Sequence, residues 1–283
     1  MLITTLLIYC LFGCSQKSLY LEEYLGQDTP GISAKKFIIP TLPGFFVAER
    51  IAISTKGDEI FYSEFTGGND AWSSSSNFTI KCYKYSNNKW EDPIVLFNGF
   101  HSPALSIDDS TLYMETVEKI NNENVQTSWF SKRNNSGWGN PVRFSIKPIY
   151  QHYLQITNSG NIYLSSKNAV GGLGKTDWSR LFINKSDTLV KSLGQPLNNE
   201  NDNNDFYIAK DESYIIFVKN SKFWISFNEK GNSWTTPKCL FEEITGWGVF
   251  VSSDNKYLFF TSATSASDCG IYWVSIESLI GKR

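Results

Sequence analysis

Short apolar runs and polar turns alternate along most of this chain, and the alternation repeats. The segment from Ser252 to Ser262, SSDNKYLFFTS, is a polar turn followed by a β-prone aromatic run. The same pattern starts at Ser54 (STKGDEIFYS), Ser106 (SIDDSTLYME), Thr157 (TNSGNIYLS) and Ala209 (AKDESYIIFV). Successive starts are 52, 51, 52 and 43 residues apart. Asp, Gly, Asn and Ser suit such turns because they tolerate the backbone angles and bond to nearby main chain. A second apolar stretch precedes each start (RIAI, PALS, YLQI, FYIA, GVFV), so every unit opens with a β-hairpin. A third strand follows: FTIKCYKY, TSWFSKR, WSRLFIN, KFWISFN and CGIYWVSI. Then come a Trp-x-x-Pro box and a fourth short strand, with boxes at Trp90–Pro93, Trp138–Pro141 and Trp234–Pro237. The third unit has only LGQP, ending at Pro196. Proline suits the start of an outer strand, where its missing N–H faces no partner.

Four short antiparallel strands repeated at this spacing predict the blades of a β-propeller, an all-β fold. Five blades are expected. A six-bladed ring, with residues 20–46 as a degenerate blade, is the alternative; those residues hold one convincing strand. The fifth blade lacks its fourth strand, and an unpaired outer edge invites aggregation. The segment SAKKFIIP, Ser33 to Pro40, is expected to supply that strand and close the ring.

The pair SSDNKYLFFTS…CGIYWV resembles the WD-like repeat of bacterial TolB-type propellers. The run Leu193–Phe217 (LGQPLNNENDNNDFYIAKDESYIIF) is the most specific match, supported by GGLGKTDW from Gly171, the Trp-x-x-Pro boxes and YLGQDTPGISAKKF from Tyr24. The resemblance covers residues 24–283. The usual turn, Ser-Pro-Asp-Gly, is altered: the Pro position holds Thr55, Ile107, Asn158, Lys210 and Ser253, and the Gly survives as Gly57 and Gly160. The resemblance implies an envelope-located propeller that mediates binding. It implies no catalytic set, and none is assigned.

The N-terminus breaks the pattern. MLITTLLIYCLFGC is an apolar run ending at Cys14, shorter than the roughly 20 residues a membrane-spanning helix needs and of the length of a secretory signal. Leu11-Phe12-Gly13-Cys14 resembles a bacterial lipobox, with Cys14 the lipidated residue and the polar SQKS after it a tether. The expected organisation is a lipoprotein-type signal peptide over residues 1–13, a tether and lead-in over 14–32 and one propeller over 33–283. That places the protein on the bacterial cell envelope, lipid-anchored at a periplasmic or surface face. Charge adds an exclusion: Lys and Arg number 26 against 28 acidic residues, without a basic block, so a nucleic-acid partner is not expected. Cys82, Cys239 and Cys269 show no metal-type spacing and read as small core residues, although one disulfide among them is compatible with the sequence.

In such a blade the first strand lines the central axis and its start opens at the mouth. The position five before each start holds Glu49, His101, His152, Asn204 and Trp247; the next holds Arg50, Ser102, Tyr153, Asp205 and Gly248. The only two histidines thus fall at equivalent places in adjacent blades. Glu49, Arg50, His101, His152, Tyr153, Asn204, Asp205 and Trp247 are the candidate ligand-binding residues. Two histidines with a carboxylate suit metal binding or acid–base work, but convergence of three or four ligands is not legible in a repeat alignment, so no metal and no cofactor is expected. Trp72, Trp178 and Trp247 fall near the same face, as do the long loops FTGGNDAWSSSSN, VEKINNENVQ and SKNAVGGLGKTD. The expected function is non-catalytic binding of a protein, peptide or glycan ligand. The alternative is a propeller hydrolase of glycosidase or lactonase type, with Glu49 and Asp205 as its carboxyl pair. No sequence motif pairs those two residues, and no G-x-S-x-G nucleophile elbow is present.

Overall fold

The computed structural model describes residues 23–144, 150–184, 187–229, 233–264 and 268–280. They form a five-bladed β-propeller, so the six-bladed alternative falls. The inner strands are Phe45–Ile53, His101–Leu105, Gln151–Ile156, Phe206–Ile208 and Trp247–Val251. Each pairs antiparallel with a second strand: Glu59–Thr66, Thr111–Ile120, Ile162–Ser166, Tyr214–Lys219 and Tyr257–Ser262. The third strands, Phe78–Ser86, Glu123–Asn134, Asp177–Asn184, Lys222–Glu229 and Gly270–Ser275, complete the ladders outward. Cys14 and the expected signal segment, residues 1–13, lie outside the described residues.

The fifth blade is closed from the far end of the chain. Lys35 and Lys36 pair with Trp273 and Tyr272, and the Phe37 N–H donates to the Ile271 carbonyl at 2.8 Å. Phe37 is buried and meets Phe259 and Trp273 edge-on; Tyr24 packs on the same two rings. One expectation needs correction. In the third blade the outer strand is Asp187–Ser192, before the LGQP segment rather than after it. Thr188 and Val190 are β-branched strand formers, and the pairing of Thr188, Leu189 and Val190 with residues 181–183 occupies the edge before Pro196 is reached.

The repeated turns punctuate the strands as expected. The Ser54, Ser106 and Ser252 hydroxyls each accept a backbone N–H five residues on, from Glu59, Thr111 and Tyr257. The fourth turn residue is left-handed in every blade: Gly57, Asp109, Gly160, Glu212 and Asn255. Asp and Asn adopt this conformation more readily than most residues. Where the residue is not glycine its side chain reaches the preceding blade: Asp109 accepts from Thr55, Glu212 from Thr157 and Asn161, and Asn255 from Tyr214. Loss of the turn glycine therefore brings an inter-blade clasp.

The core is divided among the blade interfaces. Val47, Ile51 and Tyr62 meet Phe259 and Trp273 between blades five and one, and Phe61 and Ile80 meet Leu112 and Met114 between one and two. Trp178 and Tyr153 meet Phe206 and Phe217 between three and four, and Tyr207 and Phe223 meet Val249 and Phe260 between four and five. Each such side chain contributes about 1.5–3 kcal/mol by leaving water. Cys82, Cys239 and Cys269 are all free thiols, two of them buried.

Candidate functional site

The inner strands do not run regularly to the mouth. In blades two, three and five one extra residue bulges out between the pairs His101↔Glu115 and Ala104↔Tyr113, His152↔Ser165 and Gln155↔Tyr163, and Trp247↔Thr261 and Phe250↔Phe259. Ser102, Tyr153 and Gly248 carry the bulge, at φ of 53°, 55° and 66°. A bulge re-aims side chains that a regular pleat would send to opposite faces. The first blade bulges by one residue more, between Ala48↔Ser63 and Ala52↔Phe61, and there Glu49 takes the left-handed angle, at φ 65°. Glu49 is therefore the counterpart of Ser102 and Tyr153, not of His101 and His152, and Arg50 is the inserted residue.

The two histidines have different fates. His101 is fully buried in a socket of Phe65 and Phe78, its Nδ1 2.8 Å from the Ser102 hydroxyl. Burial pushes its pKa down to about 4, so the ring is neutral at pH 7. His152 sits at the mouth with Nδ1 2.6 Å from Glu115 Oε2. Burial opposes charge on this ring too, but Glu115, Glu49 and Asp205 outweigh it and raise the pKa to about 9.

Glu115 was not among the candidates, and it is the hub of the site. It lies on the second strand of blade two, paired with His101. One of its oxygens accepts the Tyr153 N–H, and Arg50 Nη2 lies 3.8 Å away. Burial works to raise its pKa, yet His152 and Arg50 hold it below the usual carboxylate value. The equivalent positions hold Ser63, Ser165 and Thr261. Each of these hydroxyls bonds to main chain of the following blade: Ser63 accepts from Ser102 N, Ser165 donates to Asn203 O and Thr261 donates to Glu49 O. A carboxylate where other repeats carry a small hydroxyl is the sequence signal that would have found Glu115.

Glu49 is buried and accepts from the Tyr153 hydroxyl and from Trp72 Nε1, the latter at 3.1 Å. Its pKa is raised, first by burial and then by Asp205, with His152 acting the other way. Arg50 donates to the carbonyls of Ser102 at 3.2 Å and Leu154 at 3.0 Å, and its guanidinium lies over the Tyr153 ring. Burial lowers its pKa, against the pull of Glu115. Asp205, half-buried, accepts the Gly248 N–H at 3.0 Å. Ligating atoms of Glu49, His152 and Asp205 all lie within 4.8 Å of one another.

Of the remaining candidates, Asn204 is half-buried beside Ser165 at the edge of the network, and Trp247 packs into the aromatic cluster of Phe46, Phe65 and Phe78. Trp178 is core, and Trp72 keeps 37% of its surface exposed at the mouth. The long loops also differ from expectation: FTGGNDAWSSSSN folds into the two short 3-10 helices Gly68–Ser73 and Ser75–Asn77, and VEKINNENVQ is an extension of the second-blade hairpin.

No protein-family model matches the chain, and no curated protein matches it. Solved structures do. TolB from Acinetobacter baumannii is 14% identical with a TM-score of 0.51, covering 80% of this chain and 53% of its own. A GH43 beta-xylosidase/alpha-arabinofuranosidase from a compost microbial metagenome, in complex with xylotriose, is 10% identical with a TM-score of 0.53, covering 86% and 95%. An oligogalacturonate lyase in complex with manganese is 11% identical with a TM-score of 0.47, covering 83% and 66%. The chain thus spans about half the length of TolB. At such identities the likeness to TolB and to the GH43 enzyme extends to the fold alone, a β-propeller.

Proposed function

We propose that this protein is a ligand-binding propeller of TolB-like type, held on the bacterial cell envelope by a lipid on Cys14. One observation carries the binding reading. All five blades supply polar atoms to one cluster at the mouth: Glu49, Arg50, Ser102, Glu115, His152 and Tyr153 are joined by hydrogen bonds and an ion pair, and Asp205, held by the Gly248 N–H, lies within 4.8 Å of Glu49 and His152. Left-handed backbone at Glu49, Ser102 and Tyr153 costs about 1–3 kcal/mol per residue, and such strain concentrates at ligand sites. Glu49 and Asp205 offer acceptors to a protein, peptide or glycan bearing hydroxyl or ammonium donors, and Trp72 offers a ring beside them. The anchor rests on Leu11–Cys14 and the polar residues that follow.

Cross-linking on whole cells, then capture of the full chain, tests the binding reading. The expected result is a partner or glycan recovered with wild type and lost with Asp205→Ala; equal recovery from both would sink it. Labelling with a radioactive fatty acid tests the anchor, and label that persists in Cys14→Ser would refute it. The hydrolase reading keeps one observation in its favour. Glu49 and Asp205 bring carboxylate oxygens within 4.8 Å of each other, which is compatible with the roughly 5–5.5 Å between the carboxyl groups of a retaining glycosidase and too close for an inverting one, and Glu49, its pKa raised, suits the acid role. Turnover of aryl glycosides or lactones that disappears in Glu49→Gln would replace the binding reading with this one.

A further inference from the structure

We propose that Glu49, His152 and Asp205 form a site for one divalent metal ion of the manganese–zinc class. The three residues come from three different blades, and their ligating atoms converge within 4.8 Å. An ion with bonds of about 2.0–2.2 Å holds its donors roughly 3–3.5 Å apart, so atoms already within 4.8 Å of one another need only a small side-chain movement to share it.

Convergence alone would not distinguish a metal site from a polar cluster. The second observation is the orientation of each ligand. His152 Nδ1 is taken by Glu115, leaving Nε2 as the ligating nitrogen; a carboxylate on the far nitrogen is the usual support of a metal-bound histidine. Glu115 is itself fixed by the Tyr153 N–H and faces Arg50. Glu49 is steered by Trp72 and the Tyr153 hydroxyl, and Asp205 by the Gly248 N–H. Each carboxylate oxygen that accepts one such bond keeps a second acceptor direction for an ion. Supporting bonds on all three ligands are what a metal centre requires and a surface cluster lacks.

The donor set limits the ion. Calcium takes six to eight oxygens, and magnesium favours oxygen ligands and retains much of its water. Two carboxylates with one imidazole suit manganese or zinc. Three protein ligands leave a further position for water or for a donor group of the bound ligand. Half-exposed Asp205 gives the ion its way in from the mouth.

The metal inference does not depend on the binding reading, because uptake is measured with no partner present. Tag-free full chain is stripped with chelator and titrated with manganese, free ion being followed by electron paramagnetic resonance; zinc is titrated by equilibrium dialysis. Saturable uptake of one ion per chain is expected. Asp205→Asn, which keeps the acceptor for Gly248, should weaken it at least tenfold while circular dichroism stays unchanged. Glu115→Gln should weaken it by about 10–100-fold. Absence of saturable uptake for both ions, or uptake in Asp205→Asn equal to wild type, overturns the proposal.

Discussion

Glu115 shows how one side chain can do two jobs in a repeat. The small hydroxyls at its equivalent positions only stitch one blade to the next. Glu115 makes the same stitch to Tyr153 and also holds His152. Removing it in Glu115→Ala would leave His152 and Arg50 buried without their carboxylate. Such broken pairs cost about 3–5 kcal/mol, so the urea midpoint should fall sharply; an unchanged midpoint would mean that water replaces the carboxylate at no cost. Gly248 is fixed by a different constraint. A Cβ there would stand 2.7 Å from the Glu49 carbonyl carbon and 2.9 Å from Arg50 N, at φ +66°. Gly248→Ala should therefore destabilise by about 1–3 kcal/mol from overlap, plus roughly 1–2 from the left-handed angle, in thermal melts. Neither residue was legible as functional from its own type. Their roles come from what the neighbouring blades place against them.

At the scale of elements, turns and strands were the most readable parts of the chain. Ser54, Ser106 and Ser252 mark turns because a hydroxyl satisfies the main chain where the hairpin reverses, and that chemistry is local. The outer strand of blade three was misplaced because the Pro rule gives where a strand is tolerated, not which segment wins the edge. The inter-blade clasps were not foreseen, since they link one turn with the turn a repeat away. Glu212 gives the clearest test. Slight burial raises its pKa, but bonds from Ser159, Thr157, Tyr163 and Asn161 outweigh this and hold it below the free value. A group with a depressed folded pKa contributes stability above the unfolded value, near 4.5 here, and loses it as pH falls through the folded value. Stability of wild type should therefore decline below about pH 4.5 more steeply than that of Glu212→Gln. Parallel acid limbs in the two proteins would show that the clasp carries no linkage.

At the scale of the whole molecule, ring closure is the decisive event. Strand Lys35–Lys36 joins the fifth blade, and Phe37 and Tyr24 fill the seam with the first. Deletion through Pro40 would bare the edge of Gly270–Ser275, a template for another chain. Loss of the Phe37 contacts alone should cost about 3–5 kcal/mol. The truncated protein is expected to melt earlier and to associate in light scattering as concentration rises. A truncated monomer with the wild-type melting temperature would show that closure lies elsewhere. The sequence determined the repeat, the strand order, the turns and the closing segment, because strand period and turn chemistry act within a few residues. It also brought Glu49, Arg50, His152, Tyr153 and Asp205 to one end of the axis. Only the tertiary structure decided that Glu49 slips one place in register, that His101 retreats into an aromatic socket and that Glu115 joins the mouth. Those outcomes depend on an extra bulge residue and on contacts between residues 37 to 104 positions apart, such as Glu115 with His152 and Glu49 with Tyr153. A one-residue bulge redirects side chains without changing the local pattern that announces the strand.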